Sequence, residues 1–170
     1  MGLLDSYIQD LRRAMDILAG ISEKQRRLYS VAFDALGMDA SPRDIAPDVL
    51  GCMETVSNII QRAFPELDFP TILSTREGWE YFERSPSFTP VPSEDEDFGL
   101  ILVYPTGTGN GSLSNGHVFI TGKYSGPDGS RWLMSNNSFT GTWEVTGTLK
   151  AARNYYHRRG GFPEFWYRCV

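Results

Sequence analysis

Cysteine and histidine are scarce in this chain of 170 residues, which contains two of each. Two cysteines are too few for the disulfide framework of a small secreted module. A zinc module needs pairs of ligands at short spacings, and the two cysteines and two histidines stand far apart along the chain. We therefore expect two free thiols and neither a metal site nor a cofactor.

The sequence also lacks a lysine- or arginine-rich run and an uninterrupted apolar segment. With a net charge of −5, it has no basic footprint for binding phosphates, and we expect no nucleic-acid partner. Charged residues such as Asp5, Asp10 and Arg12 interrupt the N-terminal segment MGLLDSYIQDLRRAMDILAG. This pattern predicts neither a signal peptide nor membrane insertion.

What the chain does contain is typical of one compact domain with a small appendage. Aromatic residues make up 13% and charged residues 22% of the chain, which favours a packed core over disorder. Residues 1–38 predict a helical hairpin, because Ser22 and Gln25 form a capping-box pattern before a second helix that ends near Gly37. The hairpin either packs on the main domain or serves as a docking or oligomerising surface. The first helix follows from an apolar stripe at Leu4, Ile8, Leu11, Met15 and Leu18.

Residues 39–170 predict an α+β domain. The run LGCMETVSNIIQRAF has helical periodicity, and a short helix is expected over 75–84. The segments FGLILVYP, HVFITGKY and RWLMSN favour consecutive antiparallel strands. A helix over TLKAARNYYHRRGG and a last edge strand at FWYRCV would complete the domain, with PVPSEDEDF as an exposed loop.

Cys52 is the candidate nucleophile because it falls in the first turn of a helix. A helix N-terminus favours negative charge and can lower the pKa of a thiol from about 8.5 to roughly 3.5–7.5. The alternative interpretation is that Cys52 is a small buried hydrophobic residue.

His117 is the candidate general base. It follows the glycine-rich loop TGTGNGSLSNG and begins the strand HVFI, and such junctions between loop and strand often carry functional residues. His157, in contrast, lies among arginines at a helix C-terminus, where a structural role is expected. Asn136 in LMSNNS could orient the imidazole, as an amide does in Cys-His-Asn sites. Asn137, on the opposite side of the strand, remains an alternative for this role.

Four segments together resemble the NlpC/P60 and CHAP families of papain-like cell-wall peptidases and amidases, and more closely their phage-encoded members. These segments are DASPRDIAPDVLGCMETV, LILVYPTGTGNGSLSNGHVFI, LMSNNSFTGTW and RNYYHRRGGFPEFWYRCV. The resemblance covers about residues 38–170 and leaves the N-terminal hairpin out. One departure is the sequence Gly51-Cys52-Met53-Glu54, where the families usually have Ser or Gly after the cysteine and an aspartate before it.

The resemblance implies a papain-like fold in which an antiparallel sheet packs on the Cys-bearing helix. It implies a cysteine hydrolase that cuts peptide linkages of peptidoglycan, with Cys52 as nucleophile, His117 as base, Asn136 as orienting residue and stem peptides as substrate. A phage or prophage product would be made in the bacterial cytoplasm and would act at the cell wall after release or within a virion. The alternatives are a catalytically silent virion protein of the same fold and an amidase or acyltransferase with another substrate.

Overall fold

The computed structural model describes Ile8, Leu11, Met15 and residues 21–39, 51–92, 97–110 and 115–170. Within these residues the chain has an α+β fold. The helices are α1 (Glu23–Asp34), α2 (Cys52–Ala63), α3 (Thr75–Arg84) and α4 (Leu149–Ala152), with a short 3-10 helix at Pro65–Leu67 and a π-helical segment, Arg153–Arg159, directly after α4. The strands are β1 (Phe88–Pro90), β2 (Ile101–Tyr104), β3 (His117–Ser125), β4 (Arg131–Asn137), β5 (Thr142–Thr148) and β6 (Phe165–Cys169).

The six strands form one antiparallel sheet in the order β1-β6-β2-β3-β4-β5. The predicted α+β class and the run of antiparallel strands are confirmed. The prediction of an edge position for FWYRCV is wrong, because β6 lies between β1 and β2. The three-residue strand β1 is the edge instead, and its Pro90 is tolerated there since an edge strand can leave a backbone position without an N–H donor.

Each face of the sheet has its own core. Helix α2 packs on one face, where its apolar side chains meet residues of β2, β3 and β4 such as Val118 and Met134. On the other face, Phe119 and Leu133 pack with residues of α4 and of the loop before β6. Helix α2 is amphipathic, and nine of its twelve residues are buried. This burial fixes its first turn against the sheet.

The second helix of the predicted hairpin belongs to the same core as α2. Ser22 and Gln25 make the expected capping box, with bonds of 3.1 and 3.0 Å. Leu28 and Ala32 are fully buried, and the indole of Trp143 donates to the carbonyl of Ala32 at 2.9 Å. Of the two interpretations of the predicted hairpin, packing on the main domain therefore describes α1.

The first predicted helix lies mostly outside the described residues. Ile8, Leu11 and Met15 are helical, and their side chains are exposed by 39%, 48% and 67%. Leu4 and Leu18 are outside the described set, and the division of the chain at residues 38 and 39 stays a prediction. Among the helices in the described part of the chain, none is long and apolar enough to cross a membrane.

Replacing Trp143 with phenylalanine should destabilise the fold. The change removes a buried hydrogen bond and part of a fully buried ring, for which we expect a loss of about 2 kcal/mol in the free energy of unfolding. Trp132→Phe is the matched control, since Trp132 is 37% exposed and should change stability by less than about 0.5 kcal/mol. Equal losses in urea unfolding of the two variants would contradict the role given to Trp143.

Candidate functional site

The thiol of Cys52 lies at the first residue of α2, where the helix meets the sheet. Cys52 is 7% exposed and belongs to the core between α2 and the sheet. Three backbone groups, those of Cys52, Met53 and Val118, interact with the sulfur and favour its charged form. Two of them belong to the helix start and one to β3, so the sulfur lies at the junction of the two elements.

Burial raises the pKa of Cys52 to about 11, although the backbone groups act in the opposite direction. The lowering expected from a helix N-terminus is therefore not found. The physical reason is desolvation, because a thiolate removed from water loses more solvation free energy than these neutral backbone donors return. At neutral pH the resting thiol is protonated.

His117 is held at the start of β3 by the close approach of β2. Its Cα pairs with that of Tyr104, the last residue of β2. A Cβ added to the preceding Gly116 would lie 1.8 Å from the carbonyl oxygen of Tyr104, so only glycine permits this approach. Position 116 therefore requires glycine so that β3 can begin in close contact with the end of β2.

The His117 imidazole lies in an aromatic environment. It stacks on the ring of Tyr156, with centroids 5.6 Å apart and planes 11° apart, and it meets Phe119 edge-on at 4.6 Å. Burial lowers the pKa of His117 to about 4, because a charged imidazolium would lose its hydration among these rings. The resting imidazole is therefore neutral and able to accept a proton.

The thiol and the imidazole lie on either side of the backbone where β3 begins. Val118 points to the α2 side and packs in the same core as Cys52, whereas His117 contacts Phe119 and Tyr156 on the opposite face. Among the described residues no hydrogen bond joins the sulfur to the imidazole. The structure thus places Cys52 against the backbone of the residue after His117 without a direct bond between the two side chains.

Tyr156 is a site residue that the sequence analysis did not single out. Its ring lies parallel to those of both His117 and Tyr104, at 5.6 and 4.9 Å between centroids. Burial raises the pKa of Tyr156, and the nearby Cys52 thiol raises it further. Tyr156 therefore neighbours both candidate catalytic groups, and the only sequence signal for it was the aromatic pair in RNYYHRR.

A polar cluster fixes the aromatic layer from behind. The phenol of Tyr104 donates to Glu164 Oε2 at 2.9 Å, and the Nε1 of Trp166 donates to Glu164 Oε1 at 2.7 Å. Arg153 pairs with the same carboxylate at 2.9 Å and helps to hold its pKa below the usual range despite burial. The rings next to His117 are thus anchored at their far end.

Asn136 lies on the α2 side of the sheet. It is 2% exposed, and its strand partner is Trp143, whose ring packs in the core with Cys52. Its side chain faces the core on the α2 side and the His117 imidazole faces the opposite side of the sheet, although both residues contribute to the lining of one groove. Its role as the orienting residue stays a prediction.

The side chain of Asn137 forms hydrogen bonds within the turn between β4 and β5. Its Nδ2 donates to Glu144 Oε2 at 2.8 Å, and its Oδ1 accepts from the backbone N–H of Phe139 at 2.9 Å. This is the turn-forming use of asparagine at a strand end. His157 is likewise tied to the backbone, because its Nδ1 lies 2.9 Å from the carbonyl oxygen of Phe162.

An open groove of about 460 Å³ begins at His117 and runs across β4 and β5, on the face opposite α2. We call it the sheet groove. Its walls and floor combine aromatic rings, hydroxyl groups and one carboxylate. Among the residues that line it are His117, Ser135, Glu144, Thr146, Tyr155 and Tyr156.

In the described part of the chain, no group of three His, Cys, Asp or Glu side chains could hold a metal ion. Comparison with models of protein families, with curated proteins and with solved structures found no match. The candidate site is therefore defined by its own geometry and electrostatics.

Alkylation by iodoacetamide should follow the raised pKa of Cys52. Because only the thiolate reacts, the rate at Cys52 should rise about tenfold per pH unit between about pH 7 and 10. The rate is measured by mass spectrometry of the peptide that contains Cys52, which separates it from Cys169. A plateau with a midpoint below about pH 7 would show that a thiolate–imidazolium pair already exists at rest.

Protein stability should fall as the pH drops from about 7 to 4. Unfolded His117 takes up a proton near its usual pKa of 6.5, whereas the folded residue stays neutral down to about 4. The unfolded state therefore binds more protons in this window. As a result, the free energy of unfolding should fall by up to about 3 kcal/mol between pH 7 and pH 4. In urea unfolding at several pH values, His117→Gln should show a flatter dependence, and an unchanged slope would contradict the buried neutral imidazole.

Proposed function

We propose that the protein is a cysteine-nucleophile hydrolase with a papain-like fold that cuts amide bonds in the stem peptides of peptidoglycan. The observation that carries the proposal is the position of Cys52. It begins a buried helix, and its sulfur lies against the backbone of Val118, the residue directly after His117. Both side chains lie at the end of the sheet where β3 begins, the thiol on the α2 face and the imidazole on the opposite face, at the edge of the sheet groove.

The reaction would begin with attack of the Cys52 sulfur on the amide carbonyl while His117 takes the thiol proton. The carbonyl oxygen becomes an oxyanion, which backbone N–H groups near the sulfur can stabilise by about 2.7–4 kcal/mol per donor. His117 then gives its proton to the leaving amine, and the carbon–nitrogen bond breaks. Water, deprotonated by His117, hydrolyses the resulting thioester and regenerates the thiol.

The neutral resting forms of both groups are compatible with this sequence. A proton that passes from sulfur to imidazole creates both charges together, and their attraction in a low-dielectric site offsets part of the cost of burying them. A substrate in the sheet groove would also exclude water from His117. The charged pair would then form in the course of the reaction and would not exist beforehand.

A catalytically silent protein of the same fold is the second candidate. It is favoured by one observation, the absence of a hydrogen bond between Cys52 and His117 among the described residues. An amidase or acyltransferase with another acyl substrate would use the same two residues. The masses of the products separate these possibilities, because hydrolysis adds water and transfer adds the acceptor.

Incubation of the protein with purified peptidoglycan should release soluble fragments. Cys52→Ala and His117→Ala should each lower the release rate by at least about a thousandfold, since each removes a group that makes or breaks bonds. Cys169→Ala and His157→Gln are the matched controls, because Cys169 lies in β6 and His157 is bound to the backbone at Phe162. Mass spectrometry of the fragments identifies the bond that is cut.

Two results would contradict the proposal. Release that persists in Cys52→Ala would remove the nucleophile. No release by the unaltered protein from any peptidoglycan type, with an intact circular dichroism spectrum, would favour the silent candidate.

A further inference from the structure

Glu144 places a single carboxylate in the sheet groove. Its position in β5 opposite Ser135 of β4 directs it to the groove side of the sheet, away from α2. Its two oxygens accept hydrogen bonds from Asn137 at 2.8 Å, from Thr140 at 2.7 Å and from Thr142. All three donors are neutral, so they orient the carboxylate without cancelling its charge.

The charge of Glu144 has no cationic partner in the described part of the chain. The hydroxyl of Thr142, followed by Asn137 and Thr140, lowers the pKa of Glu144, so the carboxylate is ionised at neutral pH. A carboxylate offers about four lone-pair positions, of which three are used here. One acceptor position and a full negative charge thus remain available in an open groove.

Exposed rings line the same groove. Phe139, in the turn between β4 and β5, is fully exposed, and Tyr155 is 44% exposed, with the guanidinium of Arg159 5.9 Å from its ring centroid. Grooves that combine aromatic rings with a few polar groups often bind ligands. A carboxylate together with aromatic faces suits a positively charged ammonium group, which the ring quadrupole and the carboxylate both attract.

We propose that the sheet groove binds a substrate through a free amine, with Glu144 as its counter-charge and the exposed ring of Phe139 in the same groove. The inference rests on the proposed function, which it deepens by naming the substrate class as peptides that carry a free side-chain or terminal amine. His117 and Glu144 lie on β3 and β5, on either side of β4, and the strand registers set Glu144 two residues along from His117, so they are about 12 Å apart across the sheet. An extended peptide covers this distance in about three to four residues, which sets the spacing between the bound amine and the scissile amide.

The turn uses both oxygens of the carboxylate. Glutamine could still accept from Thr140 and Thr142, but its NH2 group would then face the Nδ2 donor of Asn137, so Glu144→Gln removes one hydrogen bond of the turn together with the charge. The charge is therefore tested beside a variant that removes only a hydrogen bond of the turn.

The test uses nuclear magnetic resonance titration of the Cys52→Ala protein, which separates binding from turnover. The probes are Nα-acetyl-lysine methylamide, which has a free ammonium group, and its Nε-acetylated counterpart. We expect saturable shifts at the backbone amides of Asn137 and Thr146 with the first probe and roughly fivefold weaker binding of the second. Glu144→Gln should abolish this preference.

Two further variants keep the result interpretable. Thr142→Val removes a hydrogen bond of the turn but leaves the carboxylate, so the preference for the free amine should remain. Glu77→Gln removes an exposed carboxylate on α3, outside the groove, and should also leave the preference unchanged. Equal binding of both probes, or a preference that survives in Glu144→Gln, would overturn the inference.

Failure of this inference can be told apart from failure of the proposed function. Peptidoglycan cleavage that requires Cys52 but is unaffected by N-acetylation of the substrate and by Glu144→Gln would leave the hydrolase and remove the amine site. A preference for the free amine that depends on Glu144, in a protein that releases no fragments, would leave the binding site and remove the hydrolase.

Discussion

The contact between the first turn of α2 and the start of β3 is the constraint on which the site depends. Helix α2 is fixed because most of its residues are buried between the sheet and the neighbouring helices. Strand β3 is fixed because Gly116 allows it to start close to the end of β2. Together they set the Cys52 sulfur against the backbone of Val118, one residue from the imidazole of His117.

The same burial that fixes these groups also sets their electrostatics. Desolvation raises the pKa of Cys52 and lowers that of His117, so both rest in their neutral forms. The aromatic layer of Tyr104 and Tyr156 covers one face of the imidazole, and the carboxylate of Glu164 anchors this layer from behind. The same arrangement thus sets both the packing and the protonation states of the two groups. Charging either group in the resting protein costs solvation free energy.

The local features of this arrangement could be predicted from the sequence. The capping box at Ser22, a helix with Cys52 in its first turn and a strand that begins at His117 all follow from short patterns whose physical causes lie within a few residues. The α+β class follows from the order of these patterns.

Features that depend on distant contacts could not be predicted in this way. The insertion of β6 between β1 and β2 requires a pairing of the C-terminus with residues near Phe88, for which no local pattern exists. The raised pKa of Cys52 reflects burial by the whole core, and a helix start alone suggested the opposite direction. Tyr156 becomes a neighbour of Cys52 and His117 only through the fold of the C-terminal helical segment.

The most direct test of the central claim is a crystal structure of the protein after reaction of Cys52 with a peptide chloromethyl ketone. The account predicts the His117 imidazole within hydrogen-bonding reach of the ketone oxygen of the inhibitor, at about 2.6–3.2 Å, and the peptide in the sheet groove. The central claim would be contradicted by a bound peptide that extends from the sulfur along the α2 side of the sheet, while His117 remains packed between Phe119 and Tyr156 on the other side.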